Sequence, residues 1–155
     1  MKNYLKVFLL ILITTGCGFK IVDQSKLSNF EISSIETSGD KKINFVIKNK
    51  LLVSSKAGEK KLIKINLNSS KSKSIKEKNI KNEITKYQIT IKSEIKFNLV
   101  GDLNIYSFSK FATGDYSVQS KMSETISNEK KLVELLTESL SEDLIKELVF
   151  KLDAI

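Results

Sequence analysis

The chain has 155 residues, a formal charge of +8 and 26 basic residues, all lysine; arginine, histidine, tryptophan and proline are missing. That length supports one domain, and a chain of this size buries roughly 65–70% of its unfolded surface, enough for a real core. Without histidine the usual near-neutral base and the commonest metal ligand are gone, and one cysteine makes neither an internal disulfide nor a thiolate metal cluster.

No GxSxG elbow, Walker loop or GxGxxG is present, so the expectation is a non-enzyme with no catalytic residues, metal or cofactor. Carboxylate-based hydrolysis is the one enzymatic route this inventory leaves. Any bound anion must be met by flexible ammonium groups or backbone N–H groups, without bidentate guanidinium forks. The richness in Lys, Ile, Asn and Ser follows the drift of an AT-rich genome, which discounts part of the basic bias.

Residues 1–16 read as a secretory signal. Lys2 and Lys6 form a positive start, Val7–Ile13 an apolar run, and Thr14, Thr15 and Gly16 a small-residue end. The run is well short of the roughly 20 residues that span a bilayer. A small residue just before Cys17 is the pattern of bacterial lipoprotein processing, in which the cysteine becomes the acylated first mature residue. Thr14 stands where leucine is usual. Each buried acyl CH₂ contributes about 0.8 kcal/mol, so several chains on one residue hold a protein at a membrane almost permanently. Gly18 in place of aspartate points to the outer membrane. Export removes nucleic acid as a partner despite a sequence pI of about 9.4. Loss of Lys2 and Lys6 leaves a side-chain charge of +6.

Residues 17–29 are the expected tether of a domain running over 17–155. "FEISSIETSG" (30–39) alternates poorly and ends in a turn, with a helix start at Asp40. Ile43, Ile47 and Leu51 then fall at i, i+4, i+8 with Val46 beside them, a short amphipathic helix; its β-branched residues keep a strand as the rival. "AGEKK" (57–61) is a turn. Ile63, Ile65 and Leu67 alternate with lysine and asparagine. Tyr87, Ile89, Ile91, Ile95, Phe97 and Leu99 occupy odd positions against Gln88, Thr90, Lys92, Glu94, Lys96 and Asn98, a long strand with one greasy and one wet face. Gly101 and Asp102 make the next turn. "LNIYSFSKF" and "DYSVQSKM", separated by Gly114 and Asp115, are read as one strand or a broken pair.

Val133, Leu136, Leu140, Leu144 and Leu148 form a helical stripe widened by Ile145, Val149 and Leu152, with Ser123 or Ser127 as the expected local cap. Glu138, Glu142 and Asp143 lie on its wet side, where solvated charge is the ordinary explanation and a hydrolytic site the remote one. The expected fold class is α/β (α+β): a two-layer sandwich, its sheet of about four strands mostly antiparallel, with two helices on one face. The other sheet face is polar and uncovered.

"GCGF" at 16–19, the strand–helix opening, "KYQITIKSEIKFNLVG" and "YSVQSKMSETISNEKKLVELLTESLSEDLIKEL" together resemble the lipopolysaccharide-assembly lipoproteins of the LptE (rare lipoprotein B) family. The resemblance spans nearly the whole chain. It implies a partner protein at the outer membrane, lipid-anchored on the periplasmic side through Cys17, that plugs and helps assemble the LptD β-barrel and contacts lipopolysaccharide. It carries lipopolysaccharide-binding positions onto Lys78 and Lys121. "NSSKSKSIKEKNIKN" (68–82) holds Lys71, Lys73, Lys76, Lys78 and Lys81 against only Glu77, for which a solvated strand extension or hairpin tip is the ordinary explanation. Tyr87 and Phe97 read as core; Tyr106, Phe108 and Phe111 as core or a partner-facing group. The alternative is another small outer-membrane lipoprotein with a structural or ligand-binding role.

Overall fold

The computed structural model describes residues 30–59 and 61–155; Cys17, the signal segment and the tether lie outside them. Among the described residues there are four strands, β1 (Phe30–Gly39), β2 (Lys61–Lys78), β3 (Ile84–Leu99) and β4 (Tyr106–Ser117). Two helices join them, α1 (Lys41–Ser54) and α2 (Met122–Asp153). The strands lie in the order β1-β2-β3-β4. β1 and β2 are parallel, joined by α1 as the crossover, and β2–β3 and β3–β4 are antiparallel. This is the expected two-layer α+β sandwich.

The poor alternation of the opening segment suits an edge strand with one irregularity, a register shift between Ile32 and Ser34. Gly39 then turns the chain. Its φ of +86° favours glycine, and a Cβ there would lie 2.1 Å from the Ser69 carbonyl oxygen. That same oxygen accepts the Asp40 N–H at 2.8 Å. Asp40 caps α1, its Oδ1 accepting the N–H groups of Lys42 (3.0 Å) and Ile43 (3.1 Å). Helix therefore prevails over strand. Phe45, which a strand would share with the face of Ile43 and Ile47, is 67% exposed while those two are buried.

The odd positions of β2 and β3 supply the sheet's half of the core: Ile63, Ile65, Leu67, Ile89, Ile91, Ile95 and Phe97. Ile43, Ile47 and Leu51 of α1 and Leu140, Leu144, Leu148 and Leu152 of α2 close it from above. At the centre the pattern breaks. Ser69 and Ser93 are paired and fully buried, and their hydroxyls bond at 2.7 Å. Asn44 is also buried there, donating from Nδ2 to the Ser38 carbonyl at 2.6 Å. The small Ser69–Ser93 pair suits the point where the chain crosses β2 at Gly39, while Asn44 Oδ1 is buried without a hydrogen-bond partner.

The structure decides one open alternative and departs from expectation at one point. Gly114 and Asp115 do not interrupt β4, which is one strand, with Gly114 opposite Ile89. Gly114 instead makes room for α2, since a Cβ would stand 2.8 Å from Leu132 Cδ1. Neither Ser123 nor Ser127 caps α2. The helix starts before its apolar stripe, with Lys121 as the N-cap residue and no side-chain cap bond; Thr125 Oγ1 accepts the Gln119 N–H at 2.8 Å instead.

Candidate binding surface

The face of the sheet away from the helices is built from the even positions of β2 and β3 and their partners on β4. Across it run Asn66, Asn68, Ser70, Ser72 and Ser74 on β2, Gln88, Thr90, Lys92, Glu94 and Lys96 on β3, and Ser107, Ser109, Thr113 and Asp115 on β4. These groups bond laterally: Thr90 to Thr113 at 3.1 Å, Gln88 Nε2 to Asp115 Oδ1 at 3.1 Å, and Lys76 Nζ to Asp115 Oδ2 at 2.6 Å. The Lys76 hydrogen bond, supported by that from Gln88, holds the Asp115 carboxyl below its ordinary range. At its centre this face carries a large apolar group, Phe111, 73% exposed and opposite Lys92. The surface can offer many hydroxyl, amide and ammonium groups to a wet, polar counterpart.

β1 stops pairing at Gly39 opposite Ser69, so β2 and β3 run on as a hairpin that α2 alone flanks on the helix side. On that side Ile63, Ile65 and Leu67 give way to Lys71 and Lys73. Lys73 Nζ donates to Glu129 Oε2 at 2.7 Å, and Tyr116 Oη donates to the same oxygen at 2.6 Å. Lys71 stands 4.0 Å from Glu129 Oε1. The Lys73 ammonium also sits 4.1 Å from the centre of the Tyr87 ring, which stacks on Tyr116 at 5.7 Å. Hydrogen bonds from Lys73 and then Tyr116 hold Glu129 below its usual value, against the effect of burial. Burial pulls Lys73 down, but its bonds to Glu129 and Tyr116 together leave it raised. Burial pushes the Tyr116 hydroxyl up, and so does its bond to Glu129.

The five lysines of 68–82 therefore divide. Lys71 and Lys73 are tied to α2 and Lys76 to β4, whereas Lys78 lies at the hairpin tip. Lys78 Nζ donates to Asn82 Oδ1 at 2.9 Å. Asn82 has φ +63°, and Asn79 Oδ1 accepts the N–H groups of Lys81 and Glu83 to close the tip. Lys121 lies 3.6 Å from Glu124. Lys78 pairs opposite Ile84, and the Val118 N–H bonds the Thr85 carbonyl, so Lys78 and Lys121 come to the same end of the sheet.

Phe97 is core, while Tyr87 is half-buried within the lysine cluster. Tyr106 and Phe108 pack on Phe97 at 5.4 and 6.4 Å, and Phe111 alone of the three faces outward. Glu129, Tyr116 and Asp115 escape sequence reading because only the strand register shows them opposite the lysines. Glu138, Glu142 and Asp143 are exposed on α2. No group of three or more metal-ligating side chains forms among the described residues, and no described helix is long and apolar enough to cross a membrane.

No family model matches the chain, and no curated protein matches it by sequence. Solved structures do match. Rare lipoprotein B from Shewanella oneidensis superposes with a TM-score of 0.52 at 14% identity, over 78% of this chain and 93% of that one. The chain has the fold of rare lipoprotein B. Lipoprotein B from Nitrosomonas europaea superposes with a TM-score of 0.55 at 9% identity, over 88% and 94% of the two chains. A Caulobacter crescentus protein assigned as a lipoprotein gives 0.54 at 12% identity, over 84% and 95%. The rare lipoprotein B fold thus spans the described domain from β1 to α2, and the resemblance noted in the sequence holds at the level of fold.

Proposed function

We propose that this chain is an outer-membrane lipoprotein of the LptE family, anchored through Cys17 on the periplasmic side, that plugs and helps assemble an LptD-type β-barrel. The observation that carries the reading is the long sheet face of hydroxyl, amide and lysine side chains left uncovered by both helices. A barrel interior is polar and wet, and it accepts such a face without requiring apolar burial. The fold shared with rare lipoprotein B supports the same reading. Lipopolysaccharide is polyanionic, and the end carrying Lys78 and Lys121 meets its phosphates by screened charge attraction.

The test is a detergent pull-down of the tagged protein from its native membrane, followed by mass spectrometry. A near-stoichiometric outer-membrane β-barrel is the expected companion. Recovery of the acylated protein alone would count against the plug and favour a lipoprotein with a separate structural or ligand-binding role.

A further inference from the structure

The end of the domain opposite the hairpin tip collects four chain segments. β1 begins there at Phe30 opposite Lys61, and the Lys56 N–H after α1 bonds the Phe30 carbonyl at 3.0 Å. The Val100 N–H of the β3–β4 loop bonds the Leu62 carbonyl at 2.8 Å, and Lys61 Nζ donates to the Leu152 carbonyl near the end of α2. Apolar side chains face outward from this end. Leu103 is 97% exposed, Ile105 73% and Phe150 70%, and Val53 near the end of α1 and Val100 in the β3–β4 loop are exposed as well. A hairpin loop is ordinarily polar. Here Asp102 Oδ1 accepts both the backbone and side-chain N–H groups of Asn104 at 3.0 Å, a small turn that fixes the loop around Leu103.

We infer that this end of the domain is a second membrane contact, with Leu103, Ile105 and Phe150 seated in the same bilayer leaflet that holds the acyl chains of Cys17. The inference rests on the lipid-anchor reading above. Phe30, where the described chain begins, is at this end, and the twelve residues between Cys17 and Phe30 reach at most about 45 Å. β2 alone, with 18 residues, runs about 60 Å toward the hairpin tip. The anchor therefore holds the apolar end within about 45 Å of the bilayer, while the lysine-bearing tip is free to stand farther off. Among the described lysines of this end, Lys56 faces Glu59, Lys151 faces Glu147 and Lys61 bonds the Leu152 carbonyl, so the contact works by apolar insertion.

The experiment uses the acylated full-length mature protein in vesicles of phosphatidylethanolamine and phosphatidylglycerol, with no barrel present. Acylation occupies the sulfur of Cys17, so Leu103→Cys, Phe150→Cys and Ile80→Cys variants each offer one thiol for a polarity-sensitive fluorophore. Lipids carrying a nitroxide on the acyl chain should quench the label at 103 and 150 at least twofold and leave the label at 80, on the hairpin tip, unchanged. An unquenched label at 103 overturns the inference. If that label is nevertheless blue-shifted, residues 18–29 or a second copy cover the patch instead. Flotation with the vesicles reads the anchor separately: protein that stays at the bottom of the gradient defeats both the anchor and this contact. The barrel pull-down is independent of either result.

Discussion

The two halves of β2 share one strand and one helix-facing side but are held by different forces. In Lys61–Ser69 that side carries Ile63, Ile65 and Leu67, and the strand is paired with β1 and β3. In Ser70–Lys78 it carries Lys71, Lys73 and Ile75, and the strand is paired with β3 alone. Ser69, bonded to Ser93, marks the change. The first half is fixed by apolar burial, which is strong and is not screened by salt as charge pairs are. The second depends on a long ladder and a lysine–tyrosine–glutamate cluster, which are weak and titratable. A strand can thus run on beyond its own apolar residues when its neighbour, here Ile89 and Ile91 of β3, carries the burial.

The comparison is most easily broken by equal truncations in the two halves. Ile65→Ala should cost about 2–5 kcal/mol, because the site is fully enclosed and the cavity relaxes only partly. For a domain of this size that lowers Tm by roughly 10 °C or more. Ile75→Ala removes the same atoms from a half-exposed position and should cost under about 1 kcal/mol. Comparable losses in thermal unfolding would show that the hairpin is as deeply committed to the core as the base of the sheet.

Two glycines sharpen the point. Gly39 and Gly101 both have positive φ, +86° and +93°, but only Gly39 faces atoms that a Cβ would strike. Gly101→Ala should cost about 1 kcal/mol from backbone strain. Gly39→Ala adds a clash with the Ser69 carbonyl and should reach about 2–4 kcal/mol, with strain and the disturbed Asp40–Ser69 hydrogen bond both contributing. Chemical denaturation of both variants measures the difference. Equal losses would mean that β2 yields at Ser69, and that the boundary between its halves is soft.

The distal cluster should respond to pH where the core does not. Glu129 is held below its ordinary 4.5, so its contribution is complete above about pH 4.5 and is lost as pH falls through the depressed folded value. Lys73 and Tyr116 are raised above 10.5 and 10.0, so theirs is complete below about pH 10 and is lost as pH rises through the raised values. Glu129→Gln should cost only about 1 kcal/mol, because these groups are partly open to solvent. It should also flatten the acid limb of the stability profile. A steep acid limb surviving in that variant would place the acid sensitivity elsewhere.

Much of the architecture was legible because period and punctuation agree. Asp40 after Ser-Gly marked a helix start, and thirteen residues of alternation from Tyr87 marked β3. What escaped depended on register or on approach. The alternation of β2 fades after Leu67 because Lys71 and Lys73, opposite the buried Ile91 and Ile89 of β3, meet Glu129 instead of apolar side chains, so the sequence there reads as strand extension or tip alike, and the structure makes it strand to Lys78. Gly114 leaves one strand or a broken pair open because the residue alone does not say that Leu132 of α2 needs its missing Cβ. The lysine run is visible in the sequence, but which lysines are already tied depends on Glu129 and Asp115, far away in the chain. Lys78 and Lys121 are named by family resemblance alone; no pattern in the sequence singles them out from the other lysines. Cys17 stood out by composition, as the one cysteine after a greasy run.

The smallest expected change in stability belongs to those last two lysines, and its smallness is what makes it useful. Lys78 bonds one amide oxygen within its own turn, and Lys121 faces Glu124 at 3.6 Å on an exposed first helical turn. The double variant Lys78→Ala, Lys121→Ala should therefore unfold within about 0.5 kcal/mol of the parent. The same variant removes two of the positive charges from the end proposed to meet lipid phosphates. Its binding to lipopolysaccharide in detergent should weaken, and the salt dependence of binding should become shallower, since fewer screened contacts remain. If affinity and salt dependence both stay at the parent's values while stability is unchanged, the hairpin tip is solvated charge and the anion is held elsewhere.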